Sequence, residues 1–266
     1  MTNIQLVVAR FNENLDWLLI LKNIDIIIYN KGEENIDYIK YNLNNINIKC
    51  EIINIPNIGK EGSTYIDHII NNYNKLYNYT IFVQGFPFDH CPNIYSKIIY
   101  YSVNNNLKNI NFTFLNNKLL ECDFLGRSIQ LCDIGGYVYL PMIDVYNNLF
   151  SNKIIIKTKK NNPFELEDLK GPIFEFGSGA QFIVSKKIIK KKPISFYKKI
   201  HNIFENPIKN FNGIKYTEIN PLEGFVIERL WKYIFEDENK HNIPIKKFNI
   251  KLYNYCKICK RKKLWN

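Results

Sequence analysis

Four short apolar runs rich in β-branched residues recur within the first 85 positions: IQLVVA (4–9), IDIIIY (24–29), CEIINI (50–55) and TIFVQG (80–85). Runs of this length with little polar alternation suit strands buried on both faces of a sheet. Between them the pattern changes to a helical one. Residues 14–22 open with Asn14 as a cap and set Leu15, Leu18 and Leu19 on one face. Residues 33–43 make a weaker helix with an acidic start. Residues 64–77 begin with Thr64 and Asp67 at capping-box spacing and place Ile66, Ile69, Ile70, Tyr73 and Tyr77 at helical intervals. Four strands separated by three helices predict a parallel, doubly wound α/β sheet with right-handed crossovers.

The second half is less regular. INFTFL (110–115), YVYL (137–140) and AQFIVS (180–185) read as strands; 94–104, 142–150, 194–204 and 221–236 read as helices. In the last, Asn220 is placed to cap, Pro221 to take the first helical position and Glu223 to sit three residues after the cap. No internal repeat is visible. The expectation is one mixed α/β domain over 1–250 and a basic tail over 251–266.

A hydrophobic content of 46% in 266 residues can fill a large core. No apolar run approaches the roughly 18–20 residues a membrane span needs, and MTNIQLVVARFNE lacks a charged leader followed by a long apolar segment. A soluble, cytoplasmic protein is expected. Cys50, Cys91, Cys122, Cys132, Cys256 and Cys259 are scattered and read as reduced thiols. The net charge of +11 is concentrated in SKKIIKKKP (185–193) and CKICKRKKLWN (256–266), which suits either solvated lysine faces or a polyanion partner. Nucleic acid is disfavoured, because aromatics do not interleave with these lysines as a stacking platform requires. The lone CxxC at 256–259 lacks the second ligand pair of a structural zinc site.

The chain is saturated with Asn, Ile, Lys and Tyr, whose codons are AT-rich. Ala9 and Ala180 are its only alanines, and Arg10, Arg127, Arg229 and Arg261 its only arginines. Residues with GC-rich codons therefore stand out, and they cluster in VVAR (7–10), GKEG (59–62), QGFP (84–87), GR (126–127), GG (135–136), GP…GSGA (171–180) and EGFVIER (223–229). Turn glycines explain any one cluster; the joint pattern is more informative.

In a doubly wound sheet ligands bind beyond the carboxyl ends of the strands. The segments there are ARFNEN, YNKGEE, PNIGKEGST and QGFPFDH, which should converge on one cleft. GKEGST enters a helix, so its N–H groups and Lys60 suit a phosphate, although it is neither a P-loop nor a dinucleotide fingerprint.

In order, LVVARFNENLDWL, IIIYNKG, IPNIGKEGSTYIDHIINNY, TIFVQGFPFDH and GSGAQFIVSKKII resemble the blocks of an uncharacterised family whose members are similar to GT-A glycosyltransferases. The blocks span residues 5–189. The resemblance implies a single GT-A-like, Rossmann-like α/β domain with a mainly parallel central sheet, acting on a nucleotide-sugar donor and a glycan or other hydroxyl acceptor. It implies that Arg10, Asn12, Glu13, Asn30 and Lys31 lie near the nucleotide, with Gly59, Lys60, Gln84 and Gly85 also on the donor side. Gly179, Ala180 and Gln181 would then border the acceptor.

Such enzymes usually carry an Asp-x-Asp that holds Mn²⁺ or Mg²⁺ on the donor diphosphate. This chain has Asp89 and His90 in its place, a candidate ligand pair that equally suits a plain turn with Asp89 bonded to its backbone. Sugar transfer also needs a base for the acceptor hydroxyl. On the helix containing NPLEGFVIERLW, Glu223 shares a face with Ile227, Leu230, Trp231 and Ile234, and is the first candidate; Glu228 is the second. Their structural alternatives are a capping box for Glu223 and an ion pair with Lys232 for Glu228. Cys91 with His90 is a poorer pair for a hydrolase, since neighbours in a turn rarely point toward each other.

Overall fold

A computed structural model describes residues 4–103, 107, 109–128, 140–155, 170–208, 210–211, 214–215 and 221–247. The four N-terminal runs form β1 (Ile4–Arg10), β2 (Asp25–Asn30), β3 (Cys50–Asn54) and β4 (Tyr79–Gln84), all parallel. Helices α1 (Asp37–Asn45) and α2 (Lys60–Asn72) lie between them, and α3 (Ile94–Val103) follows β4. β5 (Phe112–Phe114) and β6 (Leu120–Asp123) precede α4 (Met142–Leu149) and β7 (Lys170–Phe176). Next come β8 (Phe182–Ser185), α5 (Lys186–Ile189) and α6 (Ile194–Glu205). A two-residue pairing of β9 (Asn210–Phe211) with β10 (Ile214–Lys215) leads to α7 (Leu222–Phe235), and β11 (Ile245–Lys247) ends the described chain.

The main sheet has the order β3-β2-β1-β4-β8-β5, and β8 is antiparallel to both of its neighbours. The result is a mixed, mostly parallel sheet flanked by helices, compatible with a Rossmann-like fold. A second sheet, β11-β7-β6, is antiparallel.

Side chains of a strand alternate between faces, so each strand feeds two cores. Val7, Ile27, Tyr29, Phe82 and Phe182 pack with buried residues of α2, α4, α6 and α7. Leu6, Val8, Ile26, Ile28, Ile81 and Val83 pack with Leu18, with Ile39 and Leu43 of α1, and with Ile94 and Ile98 of α3. This two-sided burial explains why the strands read as unbroken apolar runs.

Several local expectations need correction. The predicted helix at 14–22 is a short 3₁₀ turn, Asp16–Ile20, and Asn14 instead accepts the Asp16 N–H at 2.6 Å. Helix α2 starts four residues before Thr64, and Thr64 bonds back to Lys60 O within the helix rather than capping it. The reason is local: Gly59 (φ 67°) and Lys60 (φ 54°) are both left-handed, and they turn the chain straight into the helix. At α7, Pro221 occupies the cap position and no side chain caps the helix. Positions 137–139, Asn220 and the basic tail lie outside the described residues.

Candidate active site

The order β3-β2-β1-β4 places a topological switch point between β1 and β4, where the chain leaves β1 toward one side and later returns to the other. A cleft of about 840 Å³ opens at that point. Its lining comes from all the predicted sources. Ala9, Arg10, Phe11, Glu13 and Asn14 follow β1, Lys31 follows β2, Asn57, Lys60 and Glu61 begin α2, and Gln84, Phe86 and Asp89 follow β4.

Arg10 fastens the rim of the cleft. It is 3% exposed, and its Nε donates to Glu13 O while Nη1 donates to Phe11 O and to Asn30 Oδ1 at 2.8 Å. Its Nη2 pairs with Glu34 Oε2 at 2.5 Å. Asn30, also buried, donates on to Asn54 Oδ1 and to the carbonyls of Gly32 and Glu34. Lys31 ties β2 to the start of α2: its Nζ donates to Ile58 O at 2.6 Å, to Lys60 O and to Ser63 Oγ. Burial pushes the Lys31 ammonium down to about 8, against the pull of Glu61 and Asp67. Gly32 lies so close to the loop after β1 that a Cβ there would sit 1.8 Å from Phe11 O and 2.5 Å from Asn12 Oδ1.

On the other wall, the turn at 85–91 is held from several sides. Gly85 N donates to Ala9 O, and Trp17 Nε1 donates to Gly85 O. Gln181, fully buried, donates from Nε2 to Pro87 O, and Asn116 Nδ2 donates to His90 O. Cys91 is buried and its thiol donates to Leu115 O at 2.9 Å, so it is a fastening rather than a nucleophile. Trp17 meets Phe88 edge to face and Phe88 meets Phe86 at a tilt, a row that ends at the cleft, where Phe86 and Phe11 are each nearly half exposed.

The GSGA segment meets this turn. Gly179 has φ 75°, and a Cβ on it would lie 2.5 Å from His90 Cδ2; Ala180 follows at φ 50°. Gly179 N–H donates to Glu228 Oε1 at 2.7 Å. Small residues are thus required because an imidazole and a carboxylate both approach the backbone here.

The structure separates the two carboxylates expected on α7. Glu228 reaches the Gly179 N–H, with Oε2 at 3.5 Å from Arg229 Nη1. Glu223 is 2% exposed and does not line the cleft; its Oε1 accepts the Ile208 N–H at 2.7 Å, and its Oε2 has no partner among the described residues. Burial raises the Glu223 carboxyl above the usual range. A raised carboxyl loses stability as pH climbs from its unfolded pKa through its folded one, so the neutral amide should relieve that loss. Glu223→Gln is therefore expected to melt at or above the wild-type temperature at neutral pH. Glu223→Ala, which strands the Ile208 N–H, should lose about 1–3 kcal/mol in chemical denaturation.

Asp89 lines the cleft, whereas His90 is turned onto Gly179. Among the described residues no group of three or more His, Cys, Asp or Glu side chains could hold a metal ion. Cys50, Cys91 and Cys122 are free and buried; the CxxC lies outside the described residues. No described helix is long and apolar enough to cross a membrane.

The lysines of 186–190 lie at the opposite, amino-terminal edge of the main sheet, around a recess of about 490 Å³ shared with Asn78, Tyr79 and Asn111. Part of this lysine run is committed to packing. Lys190 Nζ sits 3.7 Å from the Tyr73 ring centre, and Lys192 sits beside Phe196 and 3.9 Å from Glu238 Oε2.

The site also contains residues that sequence reasoning did not select. Phe11, Asn14, Asn57, Glu61 and Phe86 all line the cleft. Glu61 carries a signal in the sequence, since it lies between the two glycines of GKEG.

No family model matches the sequence, and no curated protein matches it. Among solved structures the chain is similar to the crystal structure of HddC from Yersinia pseudotuberculosis, at 17% identity over 73% of this chain and 80% of that one, with a TM-score of 0.29. A likeness at that level fixes neither a reaction nor a ligand.

Proposed function

We propose that the chain is an enzyme that transfers a sugar from a nucleotide-sugar donor to a hydroxyl group of a glycan or similar acceptor. The observation that carries this reading is the cleft at the β1/β4 switch point, whose volume suits a small ligand and which combines exposed aromatic faces with cations and carboxylates. The resemblance of the five sequence blocks to GT-A-like transferases points the same way.

In this reading Phe11, Asn12, Glu13, Gln84 and Gly85 border the donor, with Arg10, Asn30, Lys31 and Gly59 keeping that wall rigid. Lys60, whose ammonium lies 3.4 Å from the centre of the Phe225 ring on a long stem, is the cation assigned to the diphosphate. Gly179, Ala180 and Gln181 border the acceptor. Asp89 is the residue that would meet Mn²⁺ or Mg²⁺ carried on the donor diphosphate; no step is assigned to the ion. The protein's task is to fix donor and acceptor in line and keep water from the reacting carbon.

The test is a thermal-shift series against nucleoside diphosphates and nucleotide sugars, with and without Mn²⁺. At a hundredfold excess over Kd, one of them should raise Tm by about 5–10 °C. Failure of every nucleotide to stabilise the chain would overturn the reading.

A further inference from the structure

Helix α2, which carries Glu61, packs on α7, which carries Glu228. Gly224 has no side chain, which leaves room for the Lys60 stem and Gly59 O to approach α7. Glu228 lies one turn beyond Gly224 and is pinned by the Gly179 N–H. Glu61, in the first turn of α2, lines the cleft and lies within electrostatic reach of Glu228. One turn further along α2 is Tyr65, fully buried, whose hydroxyl has no hydrogen-bond partner among the described residues and feels the charges of Glu61, Glu13 and Glu228. A buried donor left unbonded costs stability unless something satisfies it.

We propose that Glu61, backed by Glu228 and Tyr65, is the residue that takes the proton in this cleft. The assignment rests on the sugar-transfer reading. The acceptor O–H bond breaks and its proton passes to the Glu61 carboxylate. The acceptor oxygen forms a bond to the anomeric carbon, and the bond from that carbon to the donor phosphate breaks, its electron pair leaving with the nucleoside diphosphate. Burial and the charge of a second carboxylate both make a carboxylate hold a proton more tightly, so Glu61 is a stronger base than a solvated glutamate.

The groups facing Glu61 agree with this role. Burial and Glu228 raise its carboxyl above the ordinary range, while its own backbone N–H, Lys60 and Lys31 oppose them. Glu13 adds a further negative charge at the Tyr65 hydroxyl. A base tuned upward in this way works nearer neutral pH.

Two measurements on the full chain test the proposal. Carbon-13 NMR of labelled glutamate carboxyls should show, besides the raised Glu223 and Glu236, a further group titrating above the ordinary value of 4.5. Its signal should be absent in Glu61→Gln and shifted to lower pH in Glu228→Gln. In assays with a stabilising nucleotide sugar, Glu61→Gln should cut kcat by about 10²-fold or more while keeping the ligand-induced thermal shift. Glu228→Gln should move the acidic limb of the pH–rate profile downward. An unshifted wild-type titration, or full turnover by Glu61→Gln, overturns the assignment of Glu61 and leaves sugar transfer standing. A raised carboxyl that responds to Glu228→Gln, in a protein that no nucleotide sugar stabilises, supports the pair and removes sugar transfer.

Discussion

Arg10→Ala is expected to lower stability by about 2–4 kcal/mol, the loss of several hydrogen bonds from a charged donor. The guanidinium is the common partner of Phe11 O, Glu13 O, Asn30 Oδ1 and Glu34, so its removal frees the rims of two adjacent strands together. For a chain of this size that corresponds to a Tm lower by about 5–15 °C. Arg10→Lys should recover little of it, because a single ammonium cannot reproduce a planar fork of donors aimed in fixed directions. Melting curves of the two variants side by side test the point, and a lysine variant as stable as wild type would show that charge alone suffices.

Gly32→Ala should have the largest effect on ligand binding of any single methyl addition at the cleft. Its Cβ would fall 1.8 Å from Phe11 O and 2.9 Å from Phe11 C, and these are backbone atoms that cannot rotate away. The loop after β1 must therefore move by more than an ångström, and Phe11 and Glu13 move with it. The cost of overpacking is about 1–3 kcal/mol in stability. A displacement of this size at a positioning loop can cost about 10²-fold in turnover. Nucleotide affinity and melting temperature measured together separate the two effects: a variant destabilised but binding at wild-type affinity would show that this loop does not position the ligand.

Much of this arrangement was legible in the sequence because two-sided burial leaves a strong signal. The strands β1, β2 and β4 each stand between two hydrophobic layers, and their apolar runs rich in Ile and Val have few alternatives, whereas β3 at the sheet edge is only partly buried. The few arginines and alanines of the described chain are fixtures: Arg10, Arg127 and Arg229 are all at least 92% buried, Ala9 is buried in β1, and Ala180 is buried at φ 50°. In an AT-rich chain, arginine marks places where lysine does not serve. The start of α2 was not legible, since a left-handed Lys60 has no sequence signature and the Thr64 spacing imitates a cap. The second sheet was missed because β6 and β11 are short and partly polar. Glu223 illustrates a different limit. Helical periodicity gives the face on which a carboxylate projects, but not whether that face meets the cleft or the 206–208 segment.

The bridge at Gly179 has a consequence for how the cleft fills. His90 packs on this glycine from the turn at 85–91, while the Gly179 N–H holds the Glu228 carboxylate. A ligand that shifts the turn at 85–90 thus changes the support of Glu228, and with it the proton affinity of the neighbouring carboxyl. By reciprocity, the protonation of that carboxyl changes the affinity for the ligand. Occupancy and proton uptake in this cleft are thereby linked, through a backbone amide that only a residue without a side chain could supply.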